Sequence, residues 1–402
     1  MTSGLVKMMG YPNLGLDAPN SYSNPRNNCR TYLRSVNPGS TGFRWMRVML
    51  TWSAVQPIAP RYAESDTFGA FQFYNTDGLA QKYFGWLDEV ISLCNSDGIF
   101  VNLCLDQYHP AWAAPVGSPS TEPGSGSPGK PSSQRLPAYV GMNTYWGQWV
   151  AYVYNRYHGT NLQGVLNRDG PSPGANWGNP SSAWIGAFEF GNEPNYYAWN
   201  NTDNTKCTVF EMFNTVDSLL SYWGPACGVL GPATADVPAR YYPGTSNVDT
   251  LDGVTFTQNL LGTMTNFRPA NYFAWSHHNY RDMHDTATSG TANTSRLSGV
   301  ASALNSYNWR GGGDRNIWVT EGGYVVDAAY SSADVARQNT AISKMWPAYK
   351  TNANAVTYPQ YLLNNAVNET FRSGMTYAGT YPNGVFTPGP SFASATTFKN
   401  LS

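Results

Sequence analysis

The feature that most constrains this chain is an alternation. Short apolar runs, each about one strand long, are separated by segments with helical periodicity. Residues 5–11 (LVKMMGY), 43–50 (FRWMRVML), 99–109 (IFVNLCLDQYH), 183–190 (AWIGAFEF), 228–235 (GVLGPATA), 272–280 (YFAWSHHNY) and 316–323 (NIWVTEGG) read as strands, with an eighth, weakest in pattern, at 360–367 (QYLLNNAV). Helical patterns occupy 84–98, 139–159, 208–224, 295–309 and 331–350. The first two stop at a glycine and the last opens on a Ser/Asp cap. Strands that alternate with helices pair in parallel through right-handed crossovers. About eight such units predict an α/β chain closed into a (β/α)8 barrel.

The core of that fold takes about 250 residues. A chain of 402 residues therefore places about 150 in long loops after the strands. One loop is visible directly. Residues 114–138 (APVGSPSTEPGSGSPGKPSSQRLPA) are rich in Pro, Gly and Ser and read as a flexible loop after the third strand. Helix and strand patterns resume in step on both sides, so residues 1–402 are read as a single domain rather than two joined by a linker.

Composition excludes some partners. Formal net charge is −1 and only 12% of residues are charged, which leaves no electrostatic footprint for nucleic acid and no basic face for an anionic membrane. No apolar run approaches the ~18 residues needed to span a bilayer. The N-terminal MTSGLVKMMGYPNLG is not a signal peptide. The expectation is either a protein made without a leader or an extracellular mature form that begins with an added Met, acting as a monomer. The five cysteines (Cys29, Cys94, Cys104, Cys207, Cys227) form no CxxC and no zinc-spaced Cys/His cluster. Cys207 and Cys227 are the expected pair, and Cys94 and Cys104 sit in apolar runs as core residues. Neither a metal nor another cofactor is implied. Aromatic residues reach 14% of the chain, which suits either a large core or a surface that stacks on sugar rings.

In a barrel of this kind the C-terminal ends of the strands converge on one face, and chemistry sits there. The polar residues at those ends are Arg47; Asp106, Gln107 and His109; Asn192 and Glu193; His277, His278, Asn279 and Tyr280; and Glu321. Glu193 and Glu321, two carboxylates on different strands, with an arginine, amides, imidazoles and a phenol around them, are the minimum kit for cleaving a glycosidic bond. One must be protonated to donate to the leaving oxygen. The other must be ionised to attack or to activate water.

Here the motifs resemble a known group. FEFGNEPN (188–195), followed downstream by SHHNY (276–280) and WVTEGGY (318–324), is similar to clan A of the glycoside hydrolases, retaining enzymes on a TIM barrel. FEFGNEPN looks most like families 39 and 79, while VTEGGY and VNLCLDQYHPAW look more like family 5. The resemblance implies that Glu193 is the acid/base and Glu321 the nucleophile. Asn192 would hold the sugar's 2-hydroxyl, Tyr280 would hydrogen-bond Glu321, His278 would lie near the acid/base, and Arg47 would support the nucleophile. Trp52 would fall in the substrate cleft. The chain departs from the clan's pattern at strand eight, where a tryptophan platform is missing and Tyr358, Tyr361 or Tyr377 would replace it.

Other readings stand beside these. Glu189, four residues before Glu193, points inward by strict alternation and is expected to be a buried partner of an arginine. His109 either shapes the sugar site or satisfies a strand-end backbone group. Alternation does not choose between His277 and His278; the His-x-Tyr pattern selects His278. Tyr196, Tyr197, Trp199 and Trp112 are candidate subsite aromatics. The expected partner is a carbohydrate, as oligo- or polysaccharide. Long loops and many aromatics favour endo action, and the resemblance implies a β-linked bond. A transglycosylase, an exo-glycosidase and a non-catalytic sugar-binding barrel are the rivals.

Overall fold

The computed structural model describes residues 5–11, 43–50, 52, 87, 90–105, 149–150, 153–154, 157, 185–195, 216–217, 228–241, 248–263, 272–309, 316–327, 329–361, 372–375 and 389–401. Along the chain they form β1 (Val6–Tyr11), β2 (Trp45–Leu50), β3 (Phe100–Leu105), β4 (Ala187–Phe190), β5 (Gly228–Thr234), the short β6 (Arg240–Tyr241) and β7 (Val248–Thr250), and α1 (Gly253–Thr263). Then come β8 (Ala274–His278), α2 (Tyr280–Ser289), α3 (Ser295–Ser306), β9 (Ile317–Glu321), α4 (Ser332–Thr351), β10 (Thr357–Tyr361) and α5 (Ala393–Asn400).

Eight strands join one sheet in the order β10-β1-β2-β3-β4-β5-β8-β9, and every pairing in it is parallel. The two ends of that order meet. Ile317 pairs with Ala355, Val356 N–H donates to Ile317 C=O at 3.0 Å, and Tyr361 N–H donates to Gly322 C=O at 2.6 Å. The sheet therefore closes into the (β/α)8 TIM barrel that the alternation predicts. β6 and β7 stand apart as an antiparallel pair between β5 and α1.

Alternating side chains fill the barrel in layers. Near the strand starts, Met8, Ala187, Leu230, Ala274 and Trp318 form an apolar plug, with Trp45 reaching across to Trp318 at 4.6 Å between ring centres. The next inward positions are polar: Arg47, Asn102, Glu189, Ser276 and Thr320, all buried. The outward positions Met46, Val48, Val101, Leu103, Phe188, Val229, Trp275 and Val319 pack into the larger core, which also takes in Leu297, Val300, Leu304, Ile342 and Met345 from α3 and α4. The described parts of segments 84–98, 139–159 and 208–224 are helical as expected.

Three differences from the expectation have physical causes. The eighth strand runs over Thr357–Tyr361, three residues ahead of the predicted start. Leu362 and Leu363 carry the apolar pattern, while Thr357-Tyr358-Pro359-Gln360 is more polar and carries a proline. Pro359 is tolerated because the strand's pairing with β1 and β9 uses other donors, among them the Thr357 hydroxyl on Val319 C=O at 2.8 Å. Second, β8 ends at His278 and Tyr280 begins α2, so the predicted sixth strand overruns a helix start. Third, α1, α2 and α5 have weak or polar patterns and were not expected. The proline/glycine/serine segment 114–138 lies outside the described residues.

At the base of the barrel, Lys7 of β1 is buried. Its ammonium donates to the carbonyls of Phe398 (3.3 Å), Lys399 (3.0 Å) and Leu401 (2.9 Å) at the C-terminal end of α5, the negative end of the helix dipole.

Candidate active site

Arg47 is the centre of the site. β2 delivers it into the barrel, where it is 2% exposed and surrounded by four acceptors from three other strands and their ends. Its Nε donates to Glu189 Oε2 at 2.5 Å, its Nη1 to Glu321 Oε1, and its Nη2 to Asn192 Oδ1 at 2.9 Å and to Cys104 Sγ at 3.1 Å. Burial alone would weaken the guanidinium's hold on its proton. The thiol of Cys104 and the carboxylates of Glu189 and Glu321 outweigh burial and raise its pKa well above the usual value. It remains a fixed cation.

Glu189 is the buried partner that alternation foresaw. Burial pushes its pKa up, but Arg47 and His278 and the bond from Ser276 more than offset this, so the pKa falls below the usual carboxylate value. Its two oxygens accept from four donors: Arg47 and Asn102 Nδ2 (3.1 Å) on one, Ser276 Oγ and Thr320 Oγ1 (2.7 Å) on the other. Five strands therefore meet at one carboxylate. Asn102, Ser276 and Thr320 carried no signal in the sequence, because their role exists only once the strands are side by side.

Glu321 owes its position to an irregularity. β8 and β9 slip by one residue: His277 pairs with Val319, and His278 with Glu321. Thr320 is the extra residue of a bulge, so Thr320 and Glu321, adjacent in sequence, both face the barrel axis. The Tyr280 hydroxyl donates to Glu321 Oε2 at 2.9 Å, opposite the Arg47 bond. Burial and the Glu321 carboxylate push the Tyr280 phenol well above its usual range, so it stays a donor. The next residue must be glycine. A Cβ on Gly322 would lie 1.6 Å from Asn279 Oδ1.

Glu193 sits across from it. After β4 the chain turns through two left-handed residues, Gly191 at φ 76° and Glu193 at φ 50°. A left-handed non-glycine residue ahead of a proline is strained. The surroundings hold it: Glu193 N–H donates to Ala233 C=O at 2.8 Å, and Asn192 bridges to the same residue. Asn195, wholly buried, accepts from Ala235 N–H at 2.7 Å and donates to the carbonyls of Ala235 and Leu251 at 2.8 and 2.9 Å. Asn195 stood in the FEFGNEPN motif without being singled out. It staples the Glu193 turn to the end of β5.

His278 lies between the two glutamates. Its Nδ1 is 2.8 Å from Glu193 Oε1 and 3.6 Å from Glu321 Oε2. Burial would lower its pKa, but Glu321 and then Glu193 outweigh burial and raise it. His277 faces away and meets Thr234 Oγ1 at 2.9 Å; burial and the neighbouring His278 lower its pKa to about 3. One ligand atom from each of Glu193, His278 and Glu321 lies within 4.8 Å of the others. Three such groups can in principle hold a cation, but Arg47 already places a fixed positive charge on Glu321, which disfavours a second one.

The structure thus brings together Arg47, Asn192, Glu193, His278, Tyr280 and Glu321. It separates Trp52 from them. That side chain, expected in the cleft, is wholly buried and stacks on Trp149 (5.6 Å, 7°) in the core, where an indole's area is best used. Tyr358 is also buried, its hydroxyl on Ile342 C=O at 3.2 Å. Tyr361, at the end of β10, sets its ring edge-on to Tyr280 at 6.0 Å and is the strand-eight aromatic beside the site. His109, Tyr196, Tyr197, Trp199, Trp112, Tyr377, Asp106, Gln107 and the pair Cys207 and Cys227 lie outside the described residues. Cys94 and Cys104 are buried in the core. Among the described residues no helix is long and apolar enough to cross a membrane.

No family model and no curated protein matches the sequence. Solved structures do. The chain resembles a family 39 glycoside hydrolase from Bacteroides cellulosilyticus (TM-score 0.54, 14% identity, 99% of this chain and 64% of that one). It resembles a family 10 xylanase from a Bispora species, solved with xylobiose (0.54, 9%, 100% and 97%). It also resembles an exo-β-1,4-mannosidase from an Opitutaceae bacterium (0.52, 12%, 100% and 61%). The chain spans under two thirds of the length of the first and third. At these identities the shared property is the fold, the barrel found in clan A glycoside hydrolases.

Proposed function

We propose that this chain is a retaining glycoside hydrolase acting on a β-linked polysaccharide in endo fashion, with Glu321 as nucleophile and Glu193 as acid/base. The observation that carries the reading is the opposition of the two glutamates. A carboxylate oxygen of each lies within 4.8 Å of the other. Double displacement uses carboxyl groups about 5–5.5 Å apart, whereas inversion leaves about 6.5–9.5 Å for a water molecule. The partners also differ in kind. Glu321 is buried and accepts from a guanidinium and a phenol, which suits an anion that attacks and later leaves. Glu193 keeps 24% of its side chain exposed and touches an imidazole, which suits a group that exchanges protons with substrate and water.

In the first step Glu321 bonds to the anomeric carbon as the glycosidic C–O bond breaks, and the Glu193 proton passes to the leaving oxygen. In the second, Glu193 takes a proton from water, whose oxygen displaces Glu321 from the sugar. Arg47 and Tyr280 hold Glu321 in line throughout, and Asn192 borders the 2-hydroxyl position. Tyr361 offers a face beside the scissile sugar. Secretion is the matching location for an enzyme on extracellular polysaccharide.

The test is intact-mass spectrometry after incubation with a panel of 2-deoxy-2-fluoro glycosyl fluorides. The expected result is a stoichiometric adduct on Glu321, and loss of turnover in Glu321→Gln with the fold intact. A folded protein that binds glycans yet forms no adduct with any sugar would instead be a non-catalytic sugar-binding barrel.

A further inference from the structure

Both halves of the site lean on the end of β5. Ala233 and Ala235 hold the Glu193 turn through its own N–H and through Asn195. Thr234 fixes His277. The next residue, Asp236, is 2% exposed, and its Oδ2 accepts from Arg281 N–H at 2.7 Å and Asp282 N–H at 2.9 Å.

Those two N–H groups belong to the first turn of α2, which starts at Tyr280. A helix ordinarily satisfies them with the side chain of its own N-cap residue. Here the N-cap is Asn279, which makes no such bond. Its amide is turned away to donate to the Tyr349 hydroxyl at 2.9 Å. Asp236 supplies the missing cap from another strand. Tyr280 is the first residue of this helix, and its hydroxyl must arrive at Glu321 Oε2. The helix start is held from β9 as well, where Asn279 N–H donates to Glu321 C=O at 3.1 Å.

We propose that Asp236 is a positioning residue for the nucleophile: by capping α2 in trans it sets the Tyr280 hydroxyl on Glu321. The inference rests on the glycosidase reading for its kinetic consequence, but its geometric content stands alone. The charged and titratable groups around Asp236 are Asp282 and the backbone of Arg281 on α2, Arg296 on α3 and Tyr349 on α4. Arg296 Nη1 is taken by Asp282 (2.8 Å) and Asp285 (2.9 Å), so its charge is directed at α2 rather than at Asp236.

The experiment combines crystal structures of Asp236→Ala and Asp236→Asn with a kinetic cycle that includes Tyr280→Phe. The kinetic substrate is whichever 2,4-dinitrophenyl β-glycoside the wild-type protein turns over. Asp236→Ala should release the first turn of α2 and move the Tyr280 hydroxyl out of bonding distance of Glu321. It should lower kcat by about tenfold to a hundredfold, the loss of one bond to a charged group, with KM little changed. Asp236→Asn keeps an acceptor at the same reach and should restore most of kcat. In a Tyr280→Phe background, Asp236→Ala should cost almost nothing more. A general structural role would instead lower stability and add its cost in both backgrounds. If Asp236→Ala does not fold, Asp236→Ser, with a shorter and weaker acceptor, carries the same comparison.

An Asp236→Ala crystal structure that retains the 2.9 Å Tyr280–Glu321 bond overturns the inference whatever the activity. So does an additive kinetic cycle. Turnover that survives Glu321→Gln would remove Glu321 as nucleophile instead, and the Tyr280 displacement would still decide the role of Asp236.

Discussion

Substituting Glu189 by alanine and by glutamine separates what its charge contributes from what its oxygens contribute. The alanine variant leaves Arg47 Nε and Asn102 Nδ2 without their acceptor in a site that water does not reach. Ser276 and Thr320, 2.7 Å apart, can satisfy each other. Arg47 keeps Glu321, but a buried ion pair that loses one partner costs about 3–5 kcal/mol. Glutamine is milder. Its oxygen can stay on the Arg47 and Asn102 side, and its NH2 can donate to the two hydroxyls. Only the charge is lost, about 1.5–3 kcal/mol. The assay is urea unfolding at pH 7 followed by tryptophan fluorescence, with all variants compared at constant slope. The order wild type, Glu189→Gln, Glu189→Ala is expected, with the alanine variant also losing turnover because Arg47 no longer sits in line with Glu321. An alanine variant within about 1 kcal/mol of wild type would refute the idea that one carboxylate anchors five strands and the arginine. Equal losses for both variants would refute the division between charge and hydrogen bonds.

Three further outcomes are expected. Gly322→Ala places a methyl 1.6 Å from Asn279 Oδ1; it should lower the unfolding midpoint by an amount equivalent to about 1–3 kcal/mol and depress kcat by displacing Glu321, both measurable on one preparation. Trp52→Ala should cost about 3–5 kcal/mol in urea unfolding while leaving KM for a short aryl glycoside near the wild-type value, since the indole is core rather than cleft. Burial pushes the Asp236 carboxyl from 3.8 up to about 7, against the pull of the Arg281 and Asp282 N–H groups. The folded chain then holds a proton that the unfolded chain has lost, so this residue's contribution to stability falls as pH rises from about 4 to 7, by about 4 kcal/mol in all. Asp236→Asn does not titrate; the stability of wild type minus that of Asp236→Asn should decline across that window, and parallel pH curves would contradict the assignment.

The barrel was legible because its evidence is local. An apolar run that stops at a glycine or at Asn-Glu-Pro needs no partner to be recognised. Glu189 was legible for a related reason: strict alternation from Ala187 points it inward, and a buried carboxylate needs a cation. The polar ring around it was not. Asn102, Ser276 and Thr320 lie on three strands scattered over more than two hundred residues, and only closure makes them neighbours. The strand-seven bulge was hidden too, because alternation from Trp318 puts Thr320 inward and Glu321 outward, whereas both face the barrel axis. Trp52 misled in the other direction. Its place after the second strand matches a cleft position, but burial is decided by Trp149, about a hundred residues later. Asp236 followed the same rule, since its partners are backbone amides that no pattern of side chains encodes.

The meeting of β1 with β10 has a consequence for how the chain comes to be folded. β1 pairs with β2 early, but its other edge pairs with residues 357–361, and its buried ammonium donates to carbonyls at 398–401. During synthesis about 350 residues separate the appearance of the first strand from that of its second neighbour, a wait of roughly 20–70 s at ordinary elongation rates. For that interval the nascent sheet has two open edges, each able to pair with another chain. Slow ribosomal passage through β10 and α5 would lengthen this exposure. Yield in the cell should therefore respond to chaperone supply, and to codon choice over residues 357–401, more than the stability of the finished barrel would suggest.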